Sequence, residues 1–310
     1  MKIIFTSAFE QVIVLFLLMA AGYFLKKKNL IGDNASKVLS DLEVYIFGPC
    51  LSLITFVRNF SMDVLSEKLS LLALSTVLLF LFMIPFSRFI SKRIGRTDSE
   101  RAVYSYALCF SNSGYLGYPI VSAVFGEMAL MNMMIFCLPI NLAINSYGLY
   151  ILIPEKGFSF KKLLQPTTIA PFAAVAMVAL GISFPDVLNT ALDSCGRCMA
   201  PVAMILTGIV LAKQPLKNMF LNVRAYIASG IRLIIIPLSV AVVLYALRIR
   251  GELLLLAAVM LAMPLGLNSV IFPEAFGGDA TSGSQATFIS NLLGIMTIPM
   301  MLSLFYAMAY

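Results

Sequence analysis

Two stretches concentrate the residues that could do chemistry inside an otherwise apolar chain. The first reads Ser111-Asn112-Ser113-Gly114-Tyr115-Leu116-Gly117-Tyr118-Pro119, and the second Pro264-Leu265-Gly266-Leu267-Asn268-Ser269-Val270-Ile271-Phe272-Pro273. Each combines Gly, Asn or Ser, and Pro, which weaken a helix and remove a backbone donor. Each lies near the middle of an apolar run long enough to cross a bilayer. Unwound backbone in hydrocarbon is tolerated only inside protein or against a wet cavity. Pro119 and Pro273 suit the first turn of a second half-helix. Its N-terminus would point free N–H groups and a partial positive charge at the bilayer middle. That end favours an anion, by about 0.3–2 kcal/mol for a nearby carboxylate. Asn112 and Asn268 can add amide donors, with Ser113, Gly114 and Gly266 in the same breaks. The plain alternative is a proline kink in which Asn satisfies local backbone.

Other polar groups gather nearby in sequence. Asn141, Asn145 and Ser146 interrupt the next apolar run, and Gln285, Thr287, Ser290 and Asn291 interrupt the last one. They fit a water-accessible cavity opening inwards, or simple interhelical hydrogen bonds. Charges within apolar runs are functional candidates. Arg232 could neutralise a substrate carboxylate or bond to carbonyls. Asp193 and Arg197, four apart, could pair on one helix face. Asp41 and Glu43, with Lys37 nearby, read as solvated helix-end charges. Glu127, Glu274 and Asp279 follow the breaks and read as gate or interfacial groups.

The composition excludes much else. Of 310 residues, 60% are hydrophobic and 12% charged, with mean hydropathy +0.95. Soluble domains carry roughly a quarter charged residues, so a soluble enzyme is excluded. The chain has no His, which removes His metal sites, bases and proton relays. No cofactor or metal site is expected. Five Cys lie in apolar segments and read as small core residues. Cys195-Gly196-Arg197-Cys198 lacks the βαβ setting of a redox motif. The net charge of +7 marks inside loops rather than a nucleic-acid partner.

The elements that must position these residues are helices. The apolar runs predict ten spans, near 7–25, 36–57, 69–90, 101–126, 128–153, 166–184, 190–212, 221–247, 252–277 and 282–309. The first reads as a retained span, since no small-residue cleavage site precedes Lys26. Lys26, Lys27, Lys28 and Lys37 fall in one inside loop. Arg88, Lys92, Arg93, Arg96 and Arg101 fall in the second, Lys156, Lys161 and Lys162 in the third, and Lys213, Lys217 and Arg224 in the fourth. The positive-inside rule then places both termini outside. Pro49, Pro85, Pro119 and Pro139 recur in order as Pro201, Pro237, Pro273 and Pro299, and Asp41 as Asp193. The chain thus divides into a first five-helix repeat, residues 1–155, and a second, residues 156–310. Five is odd, so the second repeat is inverted, as in secondary transporters.

Asn112 to Pro119, the second break through Pro273, the Asp279 to Pro299 stretch and the ten-span layout together resemble the auxin efflux carrier family. The likeness is to its bacterial members, whose link near Pro154 to Gln165 is short. The resemblance implies an all-α membrane protein with the fold of sodium/proton antiporters and bile acid symporters. Broken helices 4 and 9 would cross. Helices 1, 2, 6 and 7 would form a scaffold through which the family forms homodimers, and helices 3–5 and 8–10 a transport domain. Asn112 and Asn268 or its neighbours would contact a substrate carboxylate, with Asn141 or Asn145 lining the pocket. The bacterial cell membrane is the implied location.

These readings converge on a secondary transporter of small organic anions such as carboxylates, working by elevator-type alternating access. A sodium-coupled organic anion symporter and a non-transporting sensor or scaffold are the alternatives. Helices 4, 5, 6, 9 and 10 carry no central Asp or Glu, which argues against a carboxylate-centred sodium/proton antiporter. Na⁺ or H⁺ coupling stays open. Without His, and with few convergent acids, no catalytic constellation can be assembled.

Overall fold

Prolines and glycines decide where the helices of this chain bend, widen and stop. The computed structural model describes residues 2–62, 65–152, 165–213, 215–276 and 280–310. Among them the chain is almost wholly helical. The helices are α1 (Lys2–Lys27), α2 (Ala35–Asn59), α3 (Lys68–Ile94), α4a (Asp98–Cys109), α4b (Tyr118–Phe125), α5 (Glu127–Leu152), α6 (Pro166–Ala179), α7 (Asp186–Ala212), α8 (Val223–Ala246), α9a (Gly251–Ala262), α9b (Asn268–Phe276) and α10 (Ala280–Ala309). Seven of them, α1, α2, α3, α5, α7, α8 and α10, are long and apolar enough to cross a membrane. The other three expected spans are shorter for physical reasons. Two are split by the breaks. The third, α6, stops at Ala179 rather than near 184. There Gly181 takes a φ of +66°, and the Gly181 and Ile182 N–H groups bond back to the Val178 and Met177 carbonyls, a glycine stop signal. The expected inside loop with Lys156, Lys161 and Lys162 lies outside the described residues.

Four helices contain a widened, π-type turn directly before a proline. The turns are Glu43–Phe47 before Pro49, Leu78–Met83 before Pro85, Ser113–Gly117 before Pro119, and Ile231–Ile235 before Pro237. Proline has no N–H and its ring crowds the carbonyl four residues back, so the preceding turn relaxes by one residue. Such turns recur at functional sites because they re-aim side chains.

Helices α1, α2, α6 and α7 pack on one another. The seam between α1 and α7 is set by two glycines. A Cβ on Gly208 would lie 1.9 Å from the Met19 carbonyl oxygen, and one on Gly22 would lie 2.1 Å from that of Ile205. Small residues allow such backbone contact between helices in lipid. The remaining helices pack around the breaks: α3 against α4a and α5, and α10 against α8, α9a and α9b. Helix α1 also lies along α10.

Candidate functional site

The two breaks meet. The Asn112 N–H donates to the Pro264 carbonyl at 2.8 Å, and the Gly266 N–H donates to the Phe110 carbonyl at 3.3 Å. Ser111 and Leu265 thus form an antiparallel bridge. Each break supplies the partner that the other's unwound backbone needs. Gly266 allows the approach: a Cβ there would sit 3.2 Å from the Phe110 oxygen.

Side chains from two neighbouring helices complete the crossover. Arg232 of α8 is fully buried. It donates to the Leu108 carbonyl at 2.9 Å and the Met263 carbonyl at 3.3 Å, the C-terminal ends of α4a and α9a. A cation suits both ends, where helix dipoles are negative. The carbonyl-bonding reading of Arg232 therefore describes its contacts, and it does not line the cavity below. From α10, the Ser290 hydroxyl accepts from the Leu265 N–H at 3.2 Å, and Thr287 meets Ser269 at 3.2 Å. Asn291 is buried, and its amide bonds the Thr287 carbonyl at 2.8 Å. Gln285 accepts from Asn222 at 2.6 Å. Ser290 and Thr287 thus brace the second break, Gln285 ties α10 to the start of α8, and none of the four lines the cavity described below.

The prolines do not start both second half-helices. Pro119 stands in the first turn of α4b, as expected, but a π-type turn precedes it, so helical structure already begins at Ser113. Pro273 lies inside α9b, which starts at Asn268. Its cost is the loss of a donor to the Ser269 carbonyl. That carbonyl packs on Gly283 of α10, where a Cβ would come within 2.1 Å. The two N-termini also differ. In α9b the Ser269, Val270 and Ile271 N–H groups are occupied by the Gly266 and Leu267 carbonyls. The end that starts at Ser113 has no side-chain cap.

A cavity of about 200 Å³ lies against this end. Asn112, Ser113, Gly114, Asn141, Asn145, Gly266 and Asn268 all line it; Pro119, Pro273, Asn291 and Arg232 do not. Asn112 is 3% exposed, and its amide nitrogen has no hydrogen-bond partner. A Cβ on Gly114 would meet nothing within 4 Å, so the backbone there is open to the cavity. Asn145 donates to the Asn141 carbonyl at 3.2 Å, on the π-type turn Ile144–Gly148 and the helix turn before it.

Sequence reasoning missed several lining residues: Tyr106, Tyr118, Ser40, Gln165, Thr168 and above all Glu43. Asp41 is exposed as expected. Glu43 is not a solvated helix-end charge: it is 1% exposed, and neither carboxylate oxygen has a partner. The π-type turn before Pro49 carries it to the cavity side. Pro49, six residues on, was the available signal.

A second cavity of about 360 Å³ lies across the same region, lined by Arg58, Pro119, Glu127, Asp193 and Arg197 among others. Asp193 accepts from Arg197 at 2.9 Å, the expected pair, and also from Arg58 at 3.0 Å. Glu127 accepts from Ser122 at 2.6 Å. Asp279 and the Glu274 side chain lie outside what is described. Gly114, Tyr118 and Met199 line both cavities and separate them.

A family model described as membrane transport protein matches the chain twice, over residues 7–162 and over residues 156–302. The chain belongs to this family, that of the auxin efflux carriers. It is a membrane transporter, not an enzyme, and the match in two halves suggests an internal repeat. Among relatives, an "Uncharacterized transporter" of Methanothermobacter thermautotrophicus is 23% identical over 309 residues, covering 96% of this chain and 98% of its own. "Uncharacterized transporter YfdV" of Escherichia coli K12 is 23% identical over 296 residues, covering 91% and 93%. A Rhizobium meliloti protein named "Putative malonate transporter" is 24% identical over 215 residues, covering 65% and 66%.

Proposed function

We propose that this transporter carries small organic anions, with the carboxylate held at the crossover. The observation that carries the reading is the unpartnered amide of Asn112 beside the uncapped helix end at Ser113, both facing one cavity. Backbone N–H groups at such an end and neutral amides suit a carboxylate. Ser113, Gly114, Asn141, Asn145, Gly266 and Asn268 complete the surface. Pro119, Pro273 and Arg232 act behind it, by shaping and bracing the two breaks, and Asn291 lies buried on α10 behind them.

The mechanism we infer is elevator-type alternating access. Cavities on either side of a thin septum of Gly114, Tyr118 and Met199 support it. The two repeats, residues 1–155 and 156–310, are inverted in this reading, with both termini outside. Helices α3 to α5 and α8 to α10 move against a scaffold of α1, α2, α6 and α7, through which two copies pair.

A dicarboxylate is the first probe, because one relative is named for malonate. The test is counterflow of labelled malonate, pyruvate and indole-3-acetate into proteoliposomes preloaded with the same acid. Saturable exchange, reduced by Asn112→Ala, is expected. Background flux for every acid, with or without sodium, sinks the proposal. Tight binding without flux would favour a sensor.

A further inference from the structure

Glu43 is the one Asp or Glu among the described residues lining the cavity, and no Lys or Arg lines it with Glu43. It sits on the π-type turn of α2 and lines the same cavity as the break that holds Asn112. Both oxygens are buried and unpartnered. An ionised carboxylate so placed lacks the hydrogen bonds or counter-charge that make burial tolerable. It would also repel any anion in the same 200 Å³ space.

The groups facing it offer no counter-charge. Tyr106 of α4a, Tyr115 of the first break and Tyr118 of α4b line the cavity with it, and none carries a positive charge. Helix α6 has no titratable residue. Helix α7 carries Asp186, Asp193, Cys195, Arg197 and Cys198, none of which lines the cavity, and Asp193 is paired with Arg197 and Arg58. On α2 itself Lys37, Asp41, Tyr45, Cys50 and Arg58 do not line it either.

We propose that Glu43 admits the anion only in its protonated form, so that each carboxylate bound at the crossover is accompanied by one proton held on Glu43, taken up on binding wherever free Glu43 is ionised. The inference rests on the carrier reading above. The proton comes from water, and an O–H bond forms on one Glu43 oxygen. That hydroxyl supplies the donor that a carboxylate ligand accepts. When the anion leaves, the proton can return to water. The unpartnered amide of Asn112 and the unpartnered carboxyl of Glu43 then find partners in the same ligand.

The test uses the purified full chain in detergent with malonate as probe, between about pH 7 and pH 10, where ordinary carboxylic acids are ionised. At the alkaline end of this range, where free Glu43 has lost its proton, wild type should take up close to one proton per malonate in weakly buffered solution. Its Kd should rise about tenfold per pH unit once free Glu43 has lost its proton. Glu43→Gln keeps a donor without the titration: it should bind with a flat pH profile and no proton uptake. Glu43→Asp should restore the slope, which guards against a Gln variant that fails to fold. Malonate binding by wild type with no proton uptake at any pH, and with a Kd that stays flat to about pH 10, overturns the inference and leaves the carrier reading standing. So does a Glu43→Gln slope equal to wild type. Sodium-dependent binding abolished in Glu43→Gln would make Glu43 a cation ligand and overturn it too. No binding of any anion by wild type sinks the carrier reading, and this inference with it.

Discussion

Replacing Asn112 by alanine should separate binding from folding. The backbone of residue 112 holds the crossover: its N–H donates to Pro264, and its carbonyl accepts from Leu116 and Gly117 at 3.2 Å. Alanine keeps all of these. The side-chain amide nitrogen is buried without a partner, so its removal breaks none of the bonds that join the two breaks. Removing an unpaired buried donor relieves a cost of about 1–3 kcal/mol, so the melting temperature should hold or rise. Binding should move the other way. A hydrogen bond to a charged group is worth about 1.5–3 kcal/mol, so losing it should weaken anion affinity by about 10- to 150-fold. The half-saturation concentration for malonate counterflow and the melting temperature in detergent measure the two effects on one preparation. Asn112→Asp, which turns the donor into a like charge, should weaken anion binding more than alanine does. A variant that melts several degrees lower while keeping wild-type affinity would refute the reasoning. It would make the amide a structural group.

Three other substitutions test the surrounding frame. Gly208→Ala places a methyl 1.9 Å from the Met19 carbonyl. It should separate α1 from α7 and destabilise the protein by at least the ~1–3 kcal/mol typical of overpacking, read as a lower melting temperature. Gly114→Val adds a side chain where nothing lies within 4 Å, on the septum between the cavities. Exchange should fall to near background with the melting temperature unchanged. Arg232→Gln leaves the Leu108 and Met263 carbonyls short of a cationic donor, at about 1–3 kcal/mol for each buried group left unpaired. Stability should fall, while relative affinities for mono- and dicarboxylates stay as they were; a selective loss for dicarboxylates would make Arg232 a substrate group.

Much of this site can be read along the chain because its signals are local. Gly, Asn and Pro weaken a helix wherever they stand, so both breaks were visible at Asn112–Pro119 and Pro264–Pro273. Asn141 and Asn145 stood out as polar groups in an apolar run. The failures share another cause. The polar residues of α10 look the same in sequence as those of α5, yet Ser290 and Thr287 brace the second break, and the Asn291 amide turns back to the Thr287 carbonyl of its own helix. Pro273 looks like Pro119, yet the carbonyl it strips of a donor rests against Gly283, and so the helix runs through it. Pairwise likeness between halves predicts matching positions, not which partner lies across from each.

By itself the sequence determined that the chain is a helical membrane protein with two polar interruptions. Hydropathy and backbone propensity are properties of short windows, and they need no neighbours. Only the tertiary structure decided how the interruptions are used. Pairing Phe110 to Asn112 with Pro264 to Gly266 joins segments about 150 residues apart, and nothing local specifies that contact. The same holds for Glu43. Its charge and its position near a helix end suggested solvent, but the widened turn before Pro49 and the packing of α6 and α7 placed it against the cavity. A side chain's chemistry is written in the sequence; the dielectric and the partners that give that chemistry a use belong to the fold.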